Sequence, residues 1–156
     1  MPTSRQFPFV KLDVFTSRKL EGNQLAVFTD ARGLSDSEMQ SLAKEMNLSE
    51  TTFIVPGDAA VERERGVRVR IFTVEEELPF AGHPTLGTAF YLQQQRGGDL
   101  IELDLNVGKI PVRFERDGDG LLVGEMTQRY PEFGTRHNAE DIARATGVPL
   151  DEIDTS

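Results

Sequence analysis

The sequence contains no cysteine, no tryptophan and only two histidines, His83 and His137. Without thiols there can be no disulfide, no thiolate nucleophile and no zinc site of the cysteine type, and two histidines cannot build a histidine-rich metal centre. Long apolar runs are also missing. None approaches the roughly 20 residues that cross a bilayer, and the polar start at residues 1–6, followed by Pro8 and Lys11, breaks any signal core. Positive charge is scarce, with 17 Lys and Arg against 26 Asp and Glu and a formal charge of −9. Such a field repels a phosphate backbone. Arg63, Arg65, Arg68 and Arg70 are interleaved with Glu62 and Glu64, which reads as a solvated sheet face rather than a nucleic-acid stripe. Neither GxGxxG nor GxxxxGK[ST] occurs, and no serine sits in a nucleophile elbow. The expectation is a cytoplasmic protein with no metal centre, no nucleic-acid partner and no membrane segment.

What is present describes a folded domain. A chain of 156 residues, 38% hydrophobic and 28% charged, suits one globular domain. Ten phenylalanines point to a core of Phe, Leu, Ile and Val. Residues 9–16 predict a strand, and 25–29 a second one after the Gly22-Asn23 turn. Ser35 and Glu38 have capping-box spacing, and Met39, Leu42, Ala43 and Met46 follow on one helical face, which Asn47 can end in a left-handed conformation. A strand over 51–55 stops at Pro56-Gly57, residues 57–66 read as a polar loop, and Val67, Val69 and Ile71 alternate with arginines as a half-buried strand. Pro84 opens a helix over 84–95 whose Leu86, Ala89, Phe90, Tyr91 and Leu92 leave almost no polar face, so it belongs inside the fold. Strands at 101–105 and 110–114 flank a turn at 106–109, with Pro111 predicting an edge strand or a bulge. A further strand covers 121–126, and Asn138 caps a helix over 139–146. The expected architecture is α+β, a curled mixed β-sheet or barrel around a buried central helix. The boundary falls near residue 131, with 1–131 as the domain and 132–156 as a linker and the first helix of something else.

Two segments could carry chemistry. Asn47-Leu48-Ser49-Glu50-Thr51-Thr52 puts a carboxylate at a helix-to-strand junction. Pro79-Phe80-Ala81-Gly82-His83-Pro84-Thr85-Leu86-Gly87 leads into the buried helix. The first amides of a helix lack internal partners and carry the positive end of its dipole, Gly82 permits close backbone approach, and Thr85 adds a hydroxyl, so this start can hold an anion. His83 is either a proton carrier or a residue that orients the start of the helix. Glu50 is either a general acid/base or a surface carboxylate among hydroxyls, and Asn23 is either a ligand contact or a turn residue. Glu75-Glu76-Glu77 reads as mostly solvated.

At these segments the chain resembles the PhzF family of phenazine-biosynthesis-like proteins, which share the diaminopimelate-epimerase fold. The resemblance rests on Val14-Phe15-Thr16, Gly22-Asn23-Gln24-Leu25-Ala26-Val27, Met46-Asn47-Leu48-Ser49-Glu50-Thr51, Arg70-Ile71-Phe72-Thr73 and Phe80-Ala81-Gly82-His83-Pro84-Thr85-Leu86-Gly87-Thr88-Ala89, over roughly residues 8–92. It implies an isomerase or epimerase that moves protons on a small carboxylate without metal or cofactor. Glu50 would be its acid/base group and Gly82 and His83 its substrate contacts, joined in the candidate site by Asn23 and Thr85. Gln24 and Val74 stand where the family usually has prolines. Family chains are longer, so the resemblance implies the N-terminal half only, completed by a second half or by a homodimer. The alternative is a catalytically inactive half-domain or interaction module of the same fold.

Overall fold

The computed structural model describes residues 4–154, so the first three residues of the polar start lie outside it. In chain order the elements are β1 (Phe9–Val14), β2 (Asn23–Phe28), α1 (Asp36–Met46), β3 (Thr51–Val55), α2 (Ala59–Arg65), β4 (Val67–Phe72), β5 (Glu77–Leu78), α3 (Gly82–Arg96), β6 (Leu100–Leu105), β7 (Gly108–Arg116), β8 (Leu122–Met126), α4 (Ala139–Thr146) and a short 3₁₀ turn, Leu150–Glu152. The strands form one mixed sheet in the order β1-β2-β3-β4-β6-β7-β8, with β5 paired to β4. The β2/β3 and β4/β6 pairs are parallel and the rest antiparallel. No helix among the described residues is long and apolar enough to cross a membrane.

Alternation along the strands gives the sheet two apolar faces. On one face Leu25, Val27, Ile54, Val69, Ile71, Leu103 and Val112 meet Ala89 and Leu92 of α3. On the other, Phe28, Phe53 and Phe72 pack under Met39 and Ala43 of α1. Aromatic rings run across neighbouring strands there: Phe28 and Phe53 stack with centroids 4.8 Å apart, and Phe72 meets Phe53 edge-on at 5.4 Å. Helix α1 starts as its residues dictate, with the reciprocal Ser35–Glu38 capping box, and ends at Asn47 in the left-handed conformation.

The architecture corrects the expectation of a sheet or barrel around a buried central helix that forms one half of a diaminopimelate-epimerase-like fold. The sheet is a single curled one that does not close, because β1 and β8 are its two edges. Helix α3 touches both of these edge strands, which is possible only if the sheet curls round it. One side of α3 is buried, while Leu86, Phe90 and Tyr91 remain half-exposed along a 440 Å³ groove between β1 and β8. The two faces carry separate cores, each covered by a helix of this chain, so the sheet is one two-faced unit and not one side of a shared core.

Local differences have local causes. Residues 59–65 are a helix rather than a loop: Asp58 accepts from the amides of Ala60 and Val61, yet none of its residues is buried, so no apolar period marks it. Strand β1 stops at Val14 because Phe15 takes φ 62°. Pro111 lies at neither an edge nor a bulge, since β7 runs between β6 and β8 in regular register. The last β7/β8 pair is Val112 with Met126, and the Thr127 amide donates to the Pro111 carbonyl at 3.1 Å. Proline cannot return that bond, so its missing donor falls where the ladder ends.

Arg70 is not on a solvated face either, nor is Glu77. The Arg70 side chain is 17% exposed and pairs at 2.5 Å with both Glu77 and Asp36, while its guanidinium lies 5.1 Å from the Phe72 ring centroid. Asn106 donates to Glu77 at 2.9 Å, tying the β6–β7 turn to this cluster. The hydrogen bond from Arg70 holds the Glu77 carboxyl below its usual range, and Asp36 is lowered by the same guanidinium. A carboxyl depressed in the fold stabilises it above the unfolded carboxylate pKa, about 4.3 for Glu, and loses that contribution as pH falls through the depressed value. Glu77→Gln should therefore melt below wild type at about pH 7, with the gap closing as pH falls below about 4.3. Thermal unfolding across that range checks it, and a gap independent of pH removes the Arg70–Glu77 pair as its source.

Candidate active site

Glu50 immediately precedes β3, and His83 is the second residue of α3. By strand alternation Glu50 shares a face with Thr52 and Ile54, the face on which α3 lies. The fold thereby brings Glu50 and His83, which are remote in sequence, to within 3.4 Å between Oε2 and Nδ1. His83 is almost wholly buried, with 8% of its side chain exposed, and Glu50 keeps 18%. The other ring nitrogen of His83, Nε2, lies 3.3 Å from the main-chain carbonyl of Gln24. Among the described residues Oε2 of Glu50 is buried without a hydrogen bond. Further along the same two elements, the hydroxyls of Thr52 and Thr88 bond at 2.9 Å, both fully buried.

The N-terminus of α3 is open. Its N-cap, Ala81, makes no side-chain cap, so the amides of Gly82 and His83 are not satisfied in that way. A Cβ built on Gly82 would meet nothing within 4 Å, so there is free space in front of the helix end. Thr85 turns away from that space: its hydroxyl donates to the Ala81 carbonyl at 2.7 Å, its amide bonds the same oxygen at 3.4 Å, and its side chain is fully buried. Asn23 is exposed at the start of β2, paired in register with Val14 and one residue from the Gln24 carbonyl that holds His83. Of the five candidate residues, Glu50, His83 and Gly82 come together, Asn23 stands beside them, and the Thr85 hydroxyl is committed to the helix. The Gln24 carbonyl escapes any reading of side-chain types, because it is a main-chain atom placed by tertiary packing. Among the described residues the Thr51 hydroxyl is buried without a partner, and nothing in the structure explains it. Neither Glu50 nor His83 lines the 440 Å³ groove.

A mixed sheet curled round one helix, with a carboxylate and an imidazole meeting at the uncapped N-terminus of that helix, defines an α+β protein. The family description "Phenazine biosynthesis-like protein" (PhzC-PhzF) matches residues 12–152, and the chain belongs to that family. The match corrects the expected confinement of the likeness to an N-terminal half, because it runs through nearly the whole chain. Among curated relatives, the trans-2,3-dihydro-3-hydroxyanthranilate isomerase of Pseudomonas aeruginosa is 38% identical, with 90% of this chain and 49% of the relative covered. Antisense-enhancing sequence 1 of Schizosaccharomyces pombe is 50% identical, with 91% and 49% covered. The solved structure of a predicted epimerase from Pseudomonas aeruginosa superposes with a TM-score of 0.81 at 40% identity, covering 96% of this chain and 54% of that one. The chain spans about half the length of the curated relatives it matches.

The Thr52–Thr88 bond offers a test of how firmly β3 and α3 are held together. Thr88→Val keeps the shape but leaves the Thr52 hydroxyl buried and unpaired, and should cost about 1–3 kcal/mol. The double variant Thr52→Val/Thr88→Val removes both partners and should return to within about 1 kcal/mol of wild type. Urea unfolding of wild type, the single variants Thr88→Val and Thr52→Val, and the double variant reads this directly. Additive losses would mean that the hydroxyl pair contributes nothing of its own.

Proposed function

We propose that this chain provides the acid/base site of a cofactor-independent isomerase or epimerase acting on a small carboxylate, with Glu50 as the proton-transferring group. The observation that carries this reading is the meeting of Glu50 with His83 at the uncapped N-terminus of α3. A carbon acid gives up its proton only if the electron pair left behind is stabilised. The amides of Gly82 and His83 and the positive end of the helix dipole lie where a substrate carboxylate, gaining charge as the proton leaves, would sit. In an isomerisation Glu50 removes the proton and returns it to another carbon on the face it occupies. In an epimerisation a second acid delivers a proton from the opposite face, so neither consumes an oxidant or reductant. The relatives' isomerase names support the same chemistry. We place it in the cytoplasm, and we divide the chain near residue 131, a division supported by the exposure of residues 127–138 and by the lack of any buried residue in α4.

The assay is deuterium uptake from solvent into a turned-over substrate. Trans-2,3-dihydro-3-hydroxyanthranilate, the compound named for the Pseudomonas isomerases, is the first to try. Glu50→Gln keeps the volume of the side chain but cannot take up a proton. It should slow exchange by about a hundred- to ten-thousand-fold while the melting temperature holds. Normal turnover by Glu50→Gln would move the acid/base role to another carboxylate.

This reading also includes a two-fold dimer. The unpaired edges of β1 and β8 flank the apolar 440 Å³ groove, and Phe15 and Leu20 stand 70% and 88% exposed. A second copy would cover that surface. Light scattering at micromolar concentration should give about twice the 17.4 kDa of one chain, and a clean monomer mass removes the dimer.

A further inference from the structure

We infer that His83 is a positioning residue that acts through Glu50, and that the Gln24 carbonyl fixes which of its nitrogens does so. The inference rests on the proton-transfer reading of Glu50 but departs from the role of substrate contact that the family resemblance implies for His83. A carbonyl oxygen can only accept, so the ring nitrogen facing Gln24 at 3.3 Å, Nε2, is the one that carries hydrogen. Nδ1 is then left to face Glu50 Oε2 at 3.4 Å. Both ring nitrogens are thus engaged by the protein, and with 8% of its side chain exposed the ring has little surface to offer a substrate.

The same geometry divides the two oxygens of Glu50. Oε2 is buried, makes no hydrogen bond, and faces Nδ1. Two lone pairs facing one another need one proton between them. When that proton is present, on either atom, the empty position becomes a hydrogen bond that fixes the carboxyl plane. Oε1 is not enclosed in this way and is the oxygen left to exchange a proton with substrate. His83 therefore aims the working oxygen of Glu50, and Gln24 holds the imidazole in the one tautomer that can do so.

Long-range ¹⁵N spectra of the folded chain test this without any substrate. His83 should show protonated-type Nε2 at neutral pH, while His137, exposed on residues 127–138, serves as the internal reference. Glu50→Gln should move the Nδ1 resonance of His83 and leave Nε2 in place. Glu50→Asp, which withdraws the carboxylate by one methylene, should do the same and covers the case in which the first variant fails to fold. A His83 whose Nε2 carries no hydrogen, or an Nδ1 resonance indifferent to both variants, overturns the inference. In the exchange assay, His83→Gln places its amide where Nε2 was and should lower kcat by roughly 10- to 100-fold with KM within about two-fold. His83→Asn places its amide where Nδ1 was and should retain more activity. The reverse order, or a rise in KM with kcat unchanged, makes His83 a substrate contact and overturns the inference. If wild type turns nothing over, the isomerase reading fails, and the spectra alone still decide the tautomer and its partner.

Discussion

Helix α3 lies close against the sheet at Gly87. A Cβ there would come within 2.7 Å of both Leu25 Cδ2 and Val14 Cγ2, so those side chains or the helix itself would have to shift. That close approach lets Thr88 reach Thr52 and sets the register of α3 against β3. From Thr88 back to His83 is five helical residues, about 7.5 Å at the usual rise. From Thr52 back to Glu50 is two strand residues, about 6.6 Å. The two lengths nearly match and run in the same direction, so a contact at one end of the seam places the carboxylate beside the imidazole at the other. The site depends on a glycine and two threonines that never touch it.

The opposite face of the sheet follows a different logic. Its phenylalanines sit opposite one another in register, Phe9 with Phe28 and Phe28 with Phe53, and the next partner of Phe53 is Arg70. An arginine ends the aromatic row because there the sheet meets the first turn of α1, where Asp36 also favours the helix dipole, and the short strand β5, which brings Glu77. The two carboxylates and the Phe72 ring make that position tolerable for a half-buried guanidinium. One charged cluster thereby joins α1, β4, β5 and, through Asn106, the β6–β7 turn. With α3 fixed on one face and this cluster on the other, β3 and β4 are held from both sides, and β3 leads directly from Glu50.

Much of this was legible in the residues themselves. Capping boxes, alternation and Gly or Asn at helix ends are local effects, and they located α1, β3, β4, α3 and the β6–β7 hairpin to within a few residues. The ordered family segments pointed to Glu50 and to the Gly82-His83 start of α3. Helix α2 escaped because it is held by an aspartate cap and carries no apolar stripe, so no period marks it. Arg70 and Glu77 looked solvated because alternation says which face a residue takes, not whether that face is covered. Pro111 looked like an edge residue because its consequence depends on where the neighbouring strand stops.

By itself, then, the sequence determined most of the elements, the absence of thiol chemistry and the two segments proposed to carry acid/base work, because each of these follows from neighbours within a few residues. Only the tertiary structure decided that the sheet curls without closing and that each face has a core of its own. It likewise turned the Thr85 hydroxyl back into its helix and left one oxygen of Glu50 buried against His83 while Gln24 holds the other side of the ring. These outcomes depend on packing between residues tens of positions apart, and hydrogen bonds to main-chain carbonyls leave no mark in side-chain pattern.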